Sequence, residues 1–355
     1  MRGLMQSLAN KLTLFVCLAI LSILFVANVV NYMEVKNDTQ KLINDLQIKT
    51  IQDVLKTFES YNNSRGDAVK AISTEMEKNP YASKDEIYKI VRAVRDASNF
   101  DVLYVGLAEN GAMIRSNGRH QMPSDGYDPR TRGWYTNVAS GQDKVYISKP
   151  YMAPSLKAPS LAFSYPIIVN GKFIGAAGGN YDLKTFSDNV LSMGKSASGF
   201  VTVIDNDGTI LFHEITERLL KKTVLSENIV KTYLNTPEGR SGELSKNAFI
   251  VLDDKGVKKA VICQKNSLGY NVCAIADEKI YSDPVNEALV KQILIGIASL
   301  IVALIVIRLV IQYNLSPLQK IQSGLNSFFD FINHKTKDSN LIDVKTNDEF
   351  GAIAK

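Results

Sequence analysis

Histidine is scarce in this chain. Only His120, His213 and His334 occur in 355 residues, and none stands in a Ser–His or Cys–His arrangement of the kind nucleophilic catalysis uses. His213-Glu-Ile-Thr-Glu217 has glutamate where a zinc-hydrolase motif needs its second histidine, which argues against zinc hydrolysis. Gly194-Lys195-Ser196 has the ending of a phosphate-binding loop, but Asn189 occupies the position where that loop begins on glycine. An enzyme is therefore not expected, nor a cofactor or metal. Cysteine is nearly as sparse, with three residues. Cys263 and Cys273 have no second Cys or His pair to complete a zinc site. One-sided charge is lacking as well. The 41 basic and 36 acidic residues leave a net charge of +5, and no basic stripe is interleaved with aromatics, so nucleic acid is not an expected partner.

Long apolar runs are what the chain does have. Leu12–Val30 carries no charge, and Ile293–Ile311 carries only Arg308, near its far end. A helix of about 20 residues rises about 30 Å, the thickness of a bilayer's hydrocarbon core. Arg2 and Lys11 before the first run also fit a cleaved signal peptide. The run is longer than a usual signal core, however, and no small-x-small cleavage site follows it, so an uncleaved anchor is expected. Arg308 can snorkel to the headgroups, and Gln312, Tyr313 and Asn314 mark the interface. Arg2, Lys11, Arg308 and Lys320 place both outer ends in the cytoplasm, with residues 33–290 outside. There the two β-like runs Ala260–Gln264 and Tyr270–Ile275 predict a hairpin that brings Cys263 and Cys273 together as a disulfide. Cys17, inside the first apolar run, reads as a small hydrophobe.

Between the spans the periodicity is first helical and then alternating. Val35, Leu42, Leu46, Ile51, Val54, Leu55 and Phe58 recur at helical spacing, with no proline before Pro80. Ser83-Lys-Asp-Glu86 predicts a capping box opening a second helix to about Ala97. Phe100–Leu107 and Ala112–Arg115 then predict a hairpin around Asn110-Gly111. Further strands are expected at 144–148, 159–169 and 172–180, the last two joined by Asn170-Gly171. A short helix at 183–192 leads to a second hairpin at 199–213 and strands at 249–253, 258–264 and 271–277. The class expected is α+β, with two antiparallel sheets of duplicated plan. Past the second span, Leu318, Ile321, Leu325, Phe328 and Ile332 repeat at coiled-coil spacing, and Asp343 to Gly351 follows a polar connector.

Three segments carry a resemblance to a known family: Tyr127-Asp-Pro-Arg-Thr-Arg-Gly-Trp-Tyr135, Lys149-Pro-Tyr151 and Gly178-Gly-Asn-Tyr-Asp182. With the order span, long helix, two sheets, span, they resemble the sensory part of bacterial methyl-accepting chemotaxis receptors: a periplasmic double Cache domain of two PAS-like modules. The Asp-Glu-Phe-Gly351 ending resembles the second helix of a HAMP domain, a parallel four-helix unit that implies a homodimer.

The organisation this implies is a cytoplasmic N-terminus (1–11), a first span (12–32), a periplasmic sensor (33–290, with a distal module at about 80–185 and a proximal one at about 195–280), a second span (291–312) and HAMP helices (313–355). The chain would sit in the bacterial inner membrane. No signalling domain is present before Lys355, so either the chain is a truncated receptor or its partner is a separate cytoplasmic methyl-accepting signalling protein. The resemblance implies a ligand site in the distal module at Arg132, Trp134, Tyr135, Tyr151, Asn180 and Asp182. Arg132 offers a planar donor fork for a carboxylate, and the aromatics wall a small pocket. Amino-acid-binding members carry aspartates at the positions of Ala153 and Asn180, where they clamp the ligand's ammonium. Their absence here implies a small organic acid without an α-amino group, although a register shift would bring in Asp182. Lys149 and Lys157 read first as solvated surface lysines, the alternative being that they add positive field at the mouth. The alternatives are an amino-acid or indirect sensor for a histidine kinase or cyclase, and a ligand-free membrane scaffold.

Overall fold

The computed structural model describes residues 8–140, 143–153, 156–191, 199–338, 344 and 351. Two compact units result: residues 41–281, and segments 1–40 with 282–355. The Gly194-Lys195-Ser196 stretch, Arg2 and nearly all of 343–351 lie outside the described residues.

Helix α1 (Leu8–Lys78) is unbroken over 71 residues, so the expected span and the expected long helix are one element. After it, α2 (Lys84–Ser98) opens on the predicted capping box. The Ser83 N–H donates to Glu86 Oε2 at 2.7 Å while the Glu86 N–H donates to Ser83 Oγ at 3.4 Å. It closes on Asn99 at φ 52°, a left-handed position that asparagine tolerates.

The first module holds β1 (Val102–Leu107), β2 (Met113–Arg115), α3 (Gly133–Thr136), β3 (Tyr146–Ile147), β4 (Tyr151–Ala153), β5 (Ala158–Val169) and β6 (Lys172–Asp182), followed by α4 (Leu183–Leu191). Its antiparallel sheet runs β2-β1-β6-β5-β3, with β4 also paired to β5. The β5–β6 turn places Asn170 at φ 48° and Gly171 at φ 75°, the paired positive angles of a two-residue hairpin. The second module holds β7 (Gly199–Ile204), β8 (Ile210–Phe212), α5 (Val224–Leu234), α6 (Pro237–Ser241), β9 (Phe249–Leu252), β10 (Lys258–Lys265) and β11 (Asn271–Asp277). Its order is β8-β7-β11-β10-β9. In both sheets the opening hairpin lies against the module's last strand, which is the duplication the sequence suggests.

One core runs along α1 and both sheets. Phe58 of α1 meets Phe186 of α4 and Phe212 of β8, with ring centroids 5.3 and 5.5 Å apart. Ile51, Val54, Val69 and Ile72 continue that stripe, fully buried, each worth about 1.5–3 kcal/mol.

On the faces turned away from α1 the modules differ. In the second module, α5 lays Leu225, Ile229, Val230 and Tyr233 over Val261, Ile275 and the cysteines. Cys263 and Cys273 oppose each other in register and are disulfide-bonded, as expected. His213, just after β8, is buried against Phe200, with ring centroids 5.2 Å apart. Its Nδ1 accepts from the Ile215 N–H at 2.9 Å, and burial, then the nearby Arg218 charge, push its pKa down to about 4. Neither α5 nor α6 is among the elements predicted from the sequence.

The last helix, α7 (Lys279–Ile332), runs 54 residues through Pro284 and Pro317. Span and coiled-coil stripe are again continuous. Pro317 removes one backbone donor on an exposed stretch, where Tyr313 is 83% exposed. α1 and α7 are each long and apolar enough to cross a bilayer, with their apolar windows unburied. Phe15, Phe25 and Ile295 are 73%, 70% and 69% exposed.

Candidate functional site

Alternation along the first sheet divides its side chains between two environments. On β1, Leu103 and Val105 join the α1 core while Val102 and Tyr104 face the other way. On β6, Ala177 and Tyr181 face α1, whereas Asn180 lines a cavity of about 940 Å³ on the opposite face. Gly178 shares that cavity face and has no room for a side chain. A Cβ there would lie 2.5 Å from Tyr104 Cε2 and 3.0 Å from Trp134 Cε3.

The segment 126–134 folds over the cavity and is pinned at several points. The Asp128 carboxylate caps the turn Pro129–Thr131 by accepting from the Arg130 N–H at 2.9 Å. It also binds the Arg130 guanidinium, with Nη2 to Oδ2 at 2.8 Å. Ser164 of β5 donates to the Trp134 carbonyl at 2.7 Å. Arg130 is thereby committed locally, while Arg132 lies over the Tyr127 ring, its Cζ 4.8 Å from the centroid.

Four of the six residues expected at the site converge on the cavity: Arg132, Trp134, Tyr151 and Asn180. Asn180, 4% exposed, accepts at Oδ1 from Tyr104 Oη at 2.8 Å and from Tyr151 Oη at 3.0 Å. Burial holds both phenols in their neutral form, pushing Tyr104 well up and Tyr151 to about 12. The other two lie elsewhere. Tyr135 is packed behind the cavity against Trp134 and Phe173, at centroid distances of 5.6 and 5.4 Å, and burial raises its pKa to about 12. Asp182 caps α4, accepting from the Thr185 N–H at 3.1 Å and hydroxyl at 3.2 Å.

The cavity wall also contains groups that sequence reasoning missed: Arg115, Arg119, Tyr104 and Tyr127. Arg115 is 7% exposed. Its Nη1 donates to the Arg119 carbonyl at 2.7 Å, and its Cζ sits 4.9 Å from the Tyr127 centroid. Burial, opposed by the neighbouring tyrosines, lowers its pKa. On β2, Arg115 shares a face with Met113, but the strand has only three residues and gives no usable signal in the sequence. Arg115, Arg119, Arg132, Lys149 and Lys157 make the described lining basic, and no aspartate or glutamate belongs to it. Lys149 is paired with Asp205 at 3.1 Å. Chemically, the lining offers basic donors beside an apolar, aromatic wall.

Behind the sheet, Tyr181 meets α1. Its hydroxyl lies 3.1 Å from that of Tyr61, and the Arg65 guanidinium sits 4.7 Å from both rings, a cation–π arrangement.

A family model described as a Cache domain matches residues 27–284. The methyl-accepting chemotaxis protein PscA of Pseudomonas syringae pv. tomato is 29% identical over 147 residues, 41% of this chain and 22% of that protein. The matched region thus spans about a fifth of the length of the curated relatives. The sensory domain of the Campylobacter jejuni chemoreceptor Tlp3 (CcmL) with isoleucine bound superposes with a TM-score of 0.56 at 18% identity, covering 70% of this chain and 97% of that one. The ligand-binding domain of the Pseudomonas aeruginosa amino acid chemoreceptor PctC in complex with GABA gives 0.50 at 20%, covering 68% and 99%. At these identities the structural likeness is one of fold.

Proposed function

Because this chain belongs to the Cache domain family, we propose that it is the sensory part of a transmembrane chemoreceptor, binding a small carboxylate in its membrane-distal module. The observation that carries this reading is the lining of the cavity, with five basic residues and no acidic one among those described. Arg132 takes the carboxylate in its donor fork, and Trp134 and Tyr151 wall the body of the ligand. Asn180 orients the two tyrosines. Tyr135 buttresses Trp134 from behind, and Asp182 serves α4 instead of the ligand.

Isoleucine and GABA, the ligands named for the two structural neighbours, each carry a carboxylate and an ammonium. A buried ammonium without a carboxylate partner costs several kcal/mol. Here the Asn180 oxygen is already occupied by two hydroxyl donors. The carboxylate half of that chemistry fits this cavity, and the ammonium half lacks a partner among the described lining residues.

In the same reading, residues 12–32 and 291–312 span the bacterial inner membrane, 33–290 lie in the periplasm, and 313–355 form HAMP helices in a homodimer. The exposed apolar windows of α1 and α7 support this, since water contact at each such side chain is unfavourable by about 1.5–3 kcal/mol. Ligand closure biases α1 or α7, and the HAMP bundle converts that bias into one of two packings read by a methyl-accepting signalling protein. Calorimetric titration of the full chain in lipid nanodiscs tests the assignment. An organic acid that binds wild type and not Arg132→Ala supports it. Binding of amino acids alone sinks it.

A further inference from the structure

We propose that the cavity is built for a ligand with two anionic groups, a short dicarboxylate, held at one end by Arg132 near the mouth and at the other by Arg115 in the wall. This rests on the reading of the cavity as a carboxylate site and goes beyond it by naming the ligand's charge and the second anchor.

Three observations converge. The first is charge left without an internal partner. Lys149 is paired with Asp205 and Arg130 with Asp128, whereas among the described residues neither Arg115 nor Arg132 has a carboxylate within ion-pair distance. A monocarboxylate answers only one of these two guanidiniums.

The second is spacing. Both guanidinium carbons lie against the same Tyr127 ring, 4.9 and 4.8 Å from its centroid, so their separation cannot exceed the sum of those distances. One ligand that meets both guanidiniums with charge-assisted N–H···O contacts of about 2.7–2.9 Å must therefore be short, with its two carboxylates bent towards the same ring. Tyr127 and Trp134 supply apolar surface along the ligand's carbon chain, and the volume of about 940 Å³ far exceeds the needs of a one- or two-carbon acid.

The third is burial. Arg115 is 7% exposed, and a cation kept in a wall without a carboxylate is an unfavourable arrangement that a bound anion relieves. Arg119 presents its carbonyl to Arg115 and fixes the fork's direction.

The test compares acids of equal carbon number by calorimetry on the full chain in nanodiscs: succinate against butyrate, and glutarate against pentanoate. Wild type is expected to bind at least one dicarboxylate ten-fold or more tighter than its monocarboxylate twin. Arg115→Met is expected to abolish that preference, weakening the dicarboxylate far more than its monocarboxylate twin, and Arg115→Lys to restore part of it. Arg132→Met is expected to weaken both acids. Monomethyl succinate, which keeps the skeleton and loses one charge, is expected to bind wild type like butyrate, a comparison that needs no folded variant. Equal affinity for the twins, equal loss of both in Arg115→Met, or inorganic phosphate binding as tightly as the dicarboxylates would each overturn the two-anion assignment while leaving the carboxylate reading intact. Binding of no carboxylate at all overturns both.

Discussion

Asn180→Asp changes one atom's identity and one unit of charge at the centre of the cavity. The geometry of the site survives, because both oxygens of a carboxylate accept and the hydroxyls of Tyr104 and Tyr151 are already donating to this position at 2.8 and 3.0 Å. Those two contacts become charge-assisted, each worth about 1.5–3 kcal/mol, which offsets much of the burial penalty on the new charge. Fold stability should therefore move little. Ligand selection should move greatly. Two unit charges about 5 Å apart at an effective dielectric of about 20 interact by about 3 kcal/mol. An organic acid should lose affinity by roughly 100-fold, while a ligand carrying an ammonium gains the acidic partner it lacks in the wild type. Calorimetry with matched pairs, an acid and its amino derivative, reads the inversion directly, with a thermal melt to establish folding. If a folded Asn180→Asp protein binds organic acids as tightly as wild type, the cavity's electrostatics do not select its ligand and the reasoning fails.

Gly178→Ala should cost about 1–3 kcal/mol of stability, because its Cβ would press on the Tyr104 and Trp134 rings. Trp134 is the sole tryptophan, so intrinsic fluorescence should report both the displacement in this variant and ligand entry in wild type. His213, with its pKa lowered to about 4 against 6.5 in the unfolded chain, binds its proton more readily when unfolded. Stability should thus fall as pH drops from about 6.5 to 4, by up to about 3 kcal/mol, and thermal melts of His213→Asn should lack that slope. Reducing the Cys263–Cys273 bond, which closes a short loop of separation 10, should cost about 2–3 kcal/mol. Melts with and without reductant check this, and an unchanged transition would refute it.

The fold was legible in the sequence where one residue type has one local use. Asn170-Gly171 marks a hairpin because paired positive φ suits few other residues, Gly111 marks another because its single positive φ suits glycine, and Ser83 with Glu86 marks a helix start because both orphan donors are met there. Helix α5 was harder to see. Its cap pairs Thr223 with Ser226 instead of a glutamate or glutamine, and Ile229, Val230 and Tyr233 are residue types equally at home in strands. At the site, the motif residues Arg132, Trp134 and Tyr151 were legible and their neighbours were not. Arg115 lies on a strand of three residues, too short for a pattern to reveal a buried cation. Tyr135 packs behind Trp134, and Asp182, at the end of β6, is engaged in capping α4, neither of which spacing alone reveals.

Strand β6 gives the molecule separable evolutionary freedoms. Position 180 faces the cavity and, on the proposed reading, the ligand, while 181, one peptide further on, meets Tyr61 and Arg65 on the long helix. A lineage can therefore exchange the residue at 180, and with it the compound detected, without disturbing the contacts through which α1 registers the sheet. Sensors of diverse nutrients can arise on such a frame by drift on one face, with the other face inherited intact.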